Sequence, residues 1–170
     1  MEKMKIRRLV MSALLIALNV VLSRLISINA ANYRISISFI TVFLAAYLYG
    51  WKYSALVAGA GDLIGALLFP TGAFNPFFTL SAMIGGIVYG VFLFHNESVK
   101  KALMVVIINQ LVISLGLNTL LISYFYNMKL LPLFITRIGQ CVVMMVVEFV
   151  VINAFMAVLP RIKKQLNEEI

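Results

Sequence analysis

The sequence predicts an all-α integral membrane bundle of six transmembrane helices with both termini cytoplasmic. Three observations carry that expectation. Apolar residues make up 63% of the 170 residues and charged residues only 12%, far from the balance of a soluble domain. Long apolar runs recur along the whole chain, and at about 20 residues per crossing the length accommodates roughly six helices with short loops. Ten of the fourteen basic residues (Lys3, Lys5, Arg7, Arg8, Lys52, Lys100, Lys101, Arg161, Lys163 and Lys164) fall on one side of the crossings drawn below, with Arg24, Arg34 and Lys129 on the other. Such asymmetry is how membrane proteins mark their inner face. It also accounts for the net charge of +8 without a nucleic-acid partner. Residues 1–170 are read as a single membrane-embedded domain.

The first crossing is drawn over residues 9–26. The basic residues ahead of it resemble the start of a signal peptide, but Arg24 occupies the cleavage region and no small-x-small site follows, so an uncleaved helix is expected. Residues 27–36 form the first outer loop. The second run, 37–49, is short and covers about 20 Å of a core roughly 30 Å thick. A short helix beside a polar entrance suits a cavity or an inward-folded loop. Gly50, Trp51 and Lys52 make an inner turn with Trp51 at interface depth. The third run, 53–69, is rich in glycine and alanine, and Gly61 and Gly65 are expected to admit a neighbouring backbone.

Residues 70–76 form a charge-free outer loop, Pro-Thr-Gly-Ala-Phe-Asn-Pro. The fourth crossing spans 77–94 and the fifth 102–126. The sixth opens at Pro132, which suits a first helical turn, and is expected to end at Pro160. No internal repeat of the kind common in secondary transporters is visible. The single cysteine, Cys141, lies inside an apolar run, which rules out an intramolecular disulfide.

Polar groups inside these runs are the strongest functional signal, because ionisable side chains within a bilayer are costly and usually pair or line a cavity. Counting from the outer helix ends at 1.5 Å per residue, Asp62 lies about 10 Å down, Asn118 about 12 Å and Arg137 about 9 Å. Three separate segments thus place a polar group at one depth. They form either a buried Asp62–Arg137 pair with Asn118 on backbone, or a pocket with Arg24 and Arg34 at its mouth. Arginines around one opening suit an anionic ligand. Tyr33, Phe39, Phe74, Phe77 and Phe78 offer aromatic surface nearby, or serve as interface anchors and core. Arg137, Gln140, Met144 and Glu148 share one helical face. Glu148, roughly 16 Å from Arg137 along the axis, is expected to be structural and held by Asn109 or Gln110.

Ala13 and Ala17 form a small-x3-small face that suits either internal packing or a docking groove. No phosphate-binding loop, no Cys/His metal cluster and no nucleophile–base set is evident. Neither an enzyme, nor a cofactor, nor a metal is expected.

The segments RISISFITVFLAAYLYG and ALVAGAGDLIGALLFPTGAFNPFFTLSAMIGGIVYG resemble the substrate-binding S components of energy-coupling factor vitamin transporters, in particular the folate group. LSRLISI (22–28), LNTLLISYFY (117–126) and LPLFITRIG (131–139) extend the likeness, which covers residues 9–140. The chain departs from the pattern at Phe39-Ile40-Thr41, where proline is common, and at 133–137, where a Pro-Pro-Arg-like run is replaced. The resemblance implies a substrate-binding domain that captures folate from outside in a bacterial cell membrane. It implies no transport power alone, the partners being a transmembrane coupling subunit and two cytoplasmic ATPase subunits. The Ala13–Ala17 face would pack on the coupling subunit, the whole domain would topple, and the two outer loops would act as a lid. The candidate ligand-binding set is Arg24, Arg34, Phe39, Asp62, Phe74, Asn75, Phe77, Asn118 and Arg137. The physical alternatives are a self-sufficient small carrier, an S component for another vitamin, and a purely structural membrane subunit.

Overall fold

The computed structural model describes residues 2–30, 33–70 and 74–168, with side chains described for 5–27, 35–70 and 74–159. Six helical rods make up the described chain. The first is α1 (Glu2–Val20), which loosens into a π-helical turn, π1 (Val21–Leu25). A small antiparallel hairpin follows, β1 (Ile28–Ala30) with β2 (Tyr33–Ile35), in which Ile28 faces Ile35. The expected first outer loop is therefore partly ordered as strand.

α2 (Phe39–Tyr49) is only 11 residues long, about 16 Å, in keeping with the short second run. Thr41, where the resemblance leads one to expect proline, is fully buried. It accepts a bond from Asn19 Nδ2 at 2.7 Å and donates to the Ser38 carbonyl at 2.8 Å, tying α2 to α1. Gly50 alone separates α2 from α3 (Trp51–Leu68). Its φ of 82° is left-handed, and a Cβ there would meet the Phe94 ring at 3.3 Å, so the turn needs glycine. α4 (Pro76–Leu93) starts with Asn75 as its N-cap and Pro76 in the first turn, a pairing that satisfies one exposed amide and needs none from proline.

The fifth rod runs through α5 (Val99–Ile107), π2 (Ile108–Asn118) and α6 (Thr119–Phe125). The last, α7 (Leu130–Glu168), has 39 residues. It does not stop at Pro160 as the sequence suggests. The proline costs one amide bond, and the Arg, Lys, Gln, Leu and Glu residues beyond it favour helix strongly enough to continue. The segments Lys5–Leu25, Pro76–Leu93, Val99–Phe125 and Leu130–Leu159 are long and apolar enough to cross a membrane. α3 has 18 residues but is less apolar, since it carries Lys52 and Asp62.

Phe43, Tyr47, Leu93, Val105, Val106 and Ile152 form the buried centre between α2, α4, α5 and α7. The tightest interface joins α3 to α4. A Cβ on Gly86 would fall 2.6 Å from the Ser54 carbonyl oxygen, and Ser54 Oγ donates to the Gly86 carbonyl at 2.7 Å. Close backbone approach thus occurs at Gly86 and not, as expected, at Gly61 and Gly65. Those two face the side chains of Asn19 and Arg24, because α1 and π1 fill the glycine hollows with polar groups. Gly86→Leu should destabilise the fold by about 3 kcal/mol, since the backbone of α3 cannot yield locally. A thermal melt in detergent will read this as a clear fall in Tm, whereas Gly139→Ala, inside α7 with nothing near its Cβ, should not lower Tm.

Candidate functional site

A cavity of about 620 Å³ opens among all six rods, within the size range of small-molecule sites. Asp62, Asn118 and Arg137 all line it, so the shared depth read from three segments corresponds to one chamber. Arg24, Phe39, Phe74 and Asn75 line it as well. The Arg34 side chain lies outside the described residues, as do residues 71–73 of the loop expected to be the second outer one.

Beside π1, Arg24 is not an open mouth residue. Its side chain is only 6% exposed, and its Nη2 lies 3.3 Å from Asp62 Oδ1 and 3.4 Å from the Asp62 carbonyl. Thr79 Oγ1 donates to the other carboxylate oxygen at 2.9 Å. Asp62 therefore pairs with Arg24 and not with Arg137, the partner expected under the structural reading. The pairing follows from π1, which carries Arg24 over the hollow at Gly65, where a Cβ would fall 2.8 Å from its Nε.

Deeper in, Ser81 Oγ donates to Asn118 Oδ1 at 2.6 Å, leaving Asn118 Nδ2 with no bond among the described residues. Asn118 thus bonds a side chain, not the backbone. Arg137 is 7% exposed, and its Nη2 donates to the Ser114 carbonyl at 3.2 Å. Its buried Nε has no partner among the described residues. A guanidinium offers five donors, and a buried one left so sparsely bonded is costly unless an acceptor arrives. Among the described residues the Arg24–Asp62 contact is the only ion pair, so Arg137 has no carboxylate. An acceptor oxygen entering the cavity would satisfy these donors.

Gln140, Met144 and Glu148 continue down the same face of α7, and all line the cavity. Gln110 Nε2 donates to Glu148 Oε2 at 2.7 Å, as the sequence led us to expect. However, the cavity reaches Glu148, Gln110, Asn109 and Tyr89, a depth at which no ligand contact was expected. The helical face was legible in the spacing of Arg137, Gln140, Met144 and Glu148. The length of the chamber was not, because no single segment reports how far neighbouring helices stand apart.

Two expectations change in kind. Phe77 does not line the cavity; it stacks on Phe125 at 5.5 Å and is half-exposed. Consecutive helical residues point about 100° apart, and Phe78 takes the inward position. Asn75 lines the cavity but also caps α4, its Oδ1 accepting from Phe77 N at 3.0 Å. That role was readable in Asn-Pro before an apolar run.

Away from the cavity, Ala13 and Ala17 are exposed on α1, flanked by exposed Leu9, Val10, Leu14 and Leu18. Ser12 turns inward and bonds the Arg8 carbonyl at 2.8 Å. Among the described residues this face packs against nothing.

The comparisons with known proteins can be set against this geometry. The family model described as "ECF transporter, substrate-specific component" matches residues 7–162. A protein of Clostridium novyi named "Folate transporter FolT" is 32% identical over 149 residues, 87% of this chain and 87% of that protein. A Leuconostoc mesenteroides protein of the same name is 33% identical over 127 residues, 74% of this chain and 68% of its own length. A solved structure titled "Crystal structure of FolT bound with folic acid" superposes with a TM-score of 0.81 at 24% identity, over 87% of this chain and 92% of that one, and shows that the fold is shared. A membrane-spanning helical bundle, an internal polar chamber and a family match over nearly its whole length agree: the chain belongs to the substrate-specific components of ECF transporters, which are transport subunits and not enzymes.

Proposed function

We propose that this chain binds folate from outside a bacterial cell and delivers it to an energising module, as the S component of a folate importer. The observation that carries the reading is the buried Arg137, paired with no carboxylate among the described residues and set on a cavity lined by all six rods. Folate has a flat pterin, an aromatic linker and a glutamate with two carboxylates, so it needs a cation, flat apolar walls and polar edge contacts in one long cavity. Arg137 takes a carboxylate of the tail; Phe39, Phe74 and Phe78 flank the linker; Asn118 Nδ2 donates to a ligand oxygen. Arg24 holds Asp62 and thereby the wall, and Arg34 stands at the entrance. Two relatives named as folate transporters support the choice of vitamin.

In this reading both termini are cytoplasmic, and the Ala13–Ala17 face docks on a transmembrane coupling subunit attached to two ATPase subunits. Toppling of the whole domain then turns the chamber from outside to inside, with the hairpin region and residues 70–76 as its lid. Isothermal titration of the purified protein against folic acid, thiamin, riboflavin and biotin tests the ligand. Folic acid alone should bind, and absence of folic acid binding at neutral pH would refute the assignment. Proteoliposomes holding this chain without ATPase subunits should accumulate no folate; uptake there would favour a self-sufficient carrier.

A further inference from the structure

At the end of the bundle remote from Arg24, a second cavity of about 410 Å³ lies beside the turn from α2 to α3. Tyr49, Trp51, Tyr53, Val91 and Phe94 wall it, and Lys52 is the only charged residue among those described as lining it. Packing fixes the wall. The Trp51 backbone rests directly on Gly90, where a Cβ could not be accommodated, and the indole stands half-exposed. Tyr49 and Tyr53, on either side of the turn, bring their ring centres to 5.5 Å. Val91 and Phe94 are exposed, so the slot opens on the apolar flank of the bundle. Cations ring it. Lys52 Nζ lies 5.5 Å from the centre of the Trp51 ring, a contact that uses no oxygen acceptor and leaves N–H donors for one. Arg7 and Arg8, exposed on α1, are close enough to Tyr49 for their charges to act on its hydroxyl. None of the three pairs with an acid among the described residues. Glu97, just beyond Phe94, is engaged by the Tyr47 hydroxyl at 2.8 Å.

Basic residues at one end of membrane helices ordinarily mark orientation, and for that only their number matters. Here they also converge on an apolar slot with aromatic walls, which a charge count does not require. We infer that this slot holds an anionic phospholipid, its phosphodiester headgroup on Lys52, Arg7 and Arg8 and one acyl chain against the Tyr49, Tyr53 and Val91 walls. Guanidinium groups grip phosphate oxygens by paired bonds. Basic pockets between membrane helices take up such headgroups, and each cation near a membrane surface favours an anionic lipid by about fivefold. A free phosphate would use the cations but leave the apolar walls bare. The inference is independent of the folate reading, since no slot residue lines the central cavity.

Trp51 is the single tryptophan of the chain, so its fluorescence reports this slot alone. Bromine on an acyl chain quenches an indole that it touches. Proteoliposomes of phosphatidylcholine are prepared with rising fractions of brominated phosphatidylglycerol or, in parallel, brominated phosphatidylcholine. Wild type should reach half-maximal quenching with about fivefold less of the brominated phosphatidylglycerol. Arg7→Gln combined with Lys52→Gln should abolish that preference. Lys100→Gln combined with Lys101→Gln removes the same charge at the start of α5, away from the slot lining, and should preserve it. Equal quenching by the two lipids in wild type overturns the inference and leaves the slot to bulk lipid. Loss of the preference in both double variants alike, or in neither, overturns it as well, because the charge is then not acting at the slot. If the Arg7 and Lys52 double variant does not fold, Lys52→Gln alone decides: a preference cut at least twofold supports the site, and an unchanged preference overturns it.

Discussion

Arg137→Ala should weaken folate binding by roughly a hundredfold, about 3 kcal/mol, when measured by isothermal titration. The reason lies in what Arg137 lacks. It is nearly inaccessible to water, yet its only described bond is to the Ser114 carbonyl, and no acid among the described residues neutralises it. Desolvation has been incurred in the free protein, so an arriving carboxylate meets a cation already stripped of competing water. Arg137→Lys should recover only part of the loss, because an ammonium cannot reproduce the planar fork. Lys129→Ala, an exposed loop residue of the same charge, should change affinity less than twofold. Because the guanidinium is poorly satisfied without ligand, Arg137→Ala should leave the Tm of the free protein nearly unaltered. Equal, small losses in the Arg137 and Lys129 variants would sink the pocket assignment.

Ala13→Trp and Ala17→Trp should do the opposite, abolishing folate uptake in reconstituted complexes while leaving binding to the isolated chain within twofold. Both alanines are exposed and lie outside the cavity lining, so a bulkier side chain meets nothing within the chain. A small-x3-small stripe has value only when another helix lies along it at close range. An indole there holds that helix off by several ångströms. Transport retained at wild-type rates would place the coupling surface elsewhere.

Much of this architecture was legible from hydropathy, because a bilayer permits few solutions and each apolar run announces itself. That Asp62, Asn118 and Arg137 meet in one cavity was legible for the same reason: within a straight helix, residue count is distance. What residue counting could not supply was lateral. Arg24 was placed at an open mouth because it ends an apolar run, but π1 swings it onto Asp62 and into the hollow of Gly65. Gly61 and Gly65 promised backbone contact, and which helix takes up a glycine hollow is set by the whole packing. Glu148 was assigned its correct partner yet excluded from the chamber, since a cavity's floor is fixed by gaps between helices. Phe77 and Phe78 are indistinguishable by composition; one helical step separates lining from outer surface.

The single-residue joint at Gly50 has a consequence for how the chain enters its membrane. α2 is too short to span a bilayer, and α3 carries a lysine and an aspartate, charges that disfavour insertion of an isolated helix. Neither element is a good independent candidate for release into lipid during synthesis. Their glycine turn lets them fold back on each other as a hairpin, and α4, the next strongly apolar segment, closes on α3 through Gly86. The three elements are therefore expected to enter the membrane together rather than one by one.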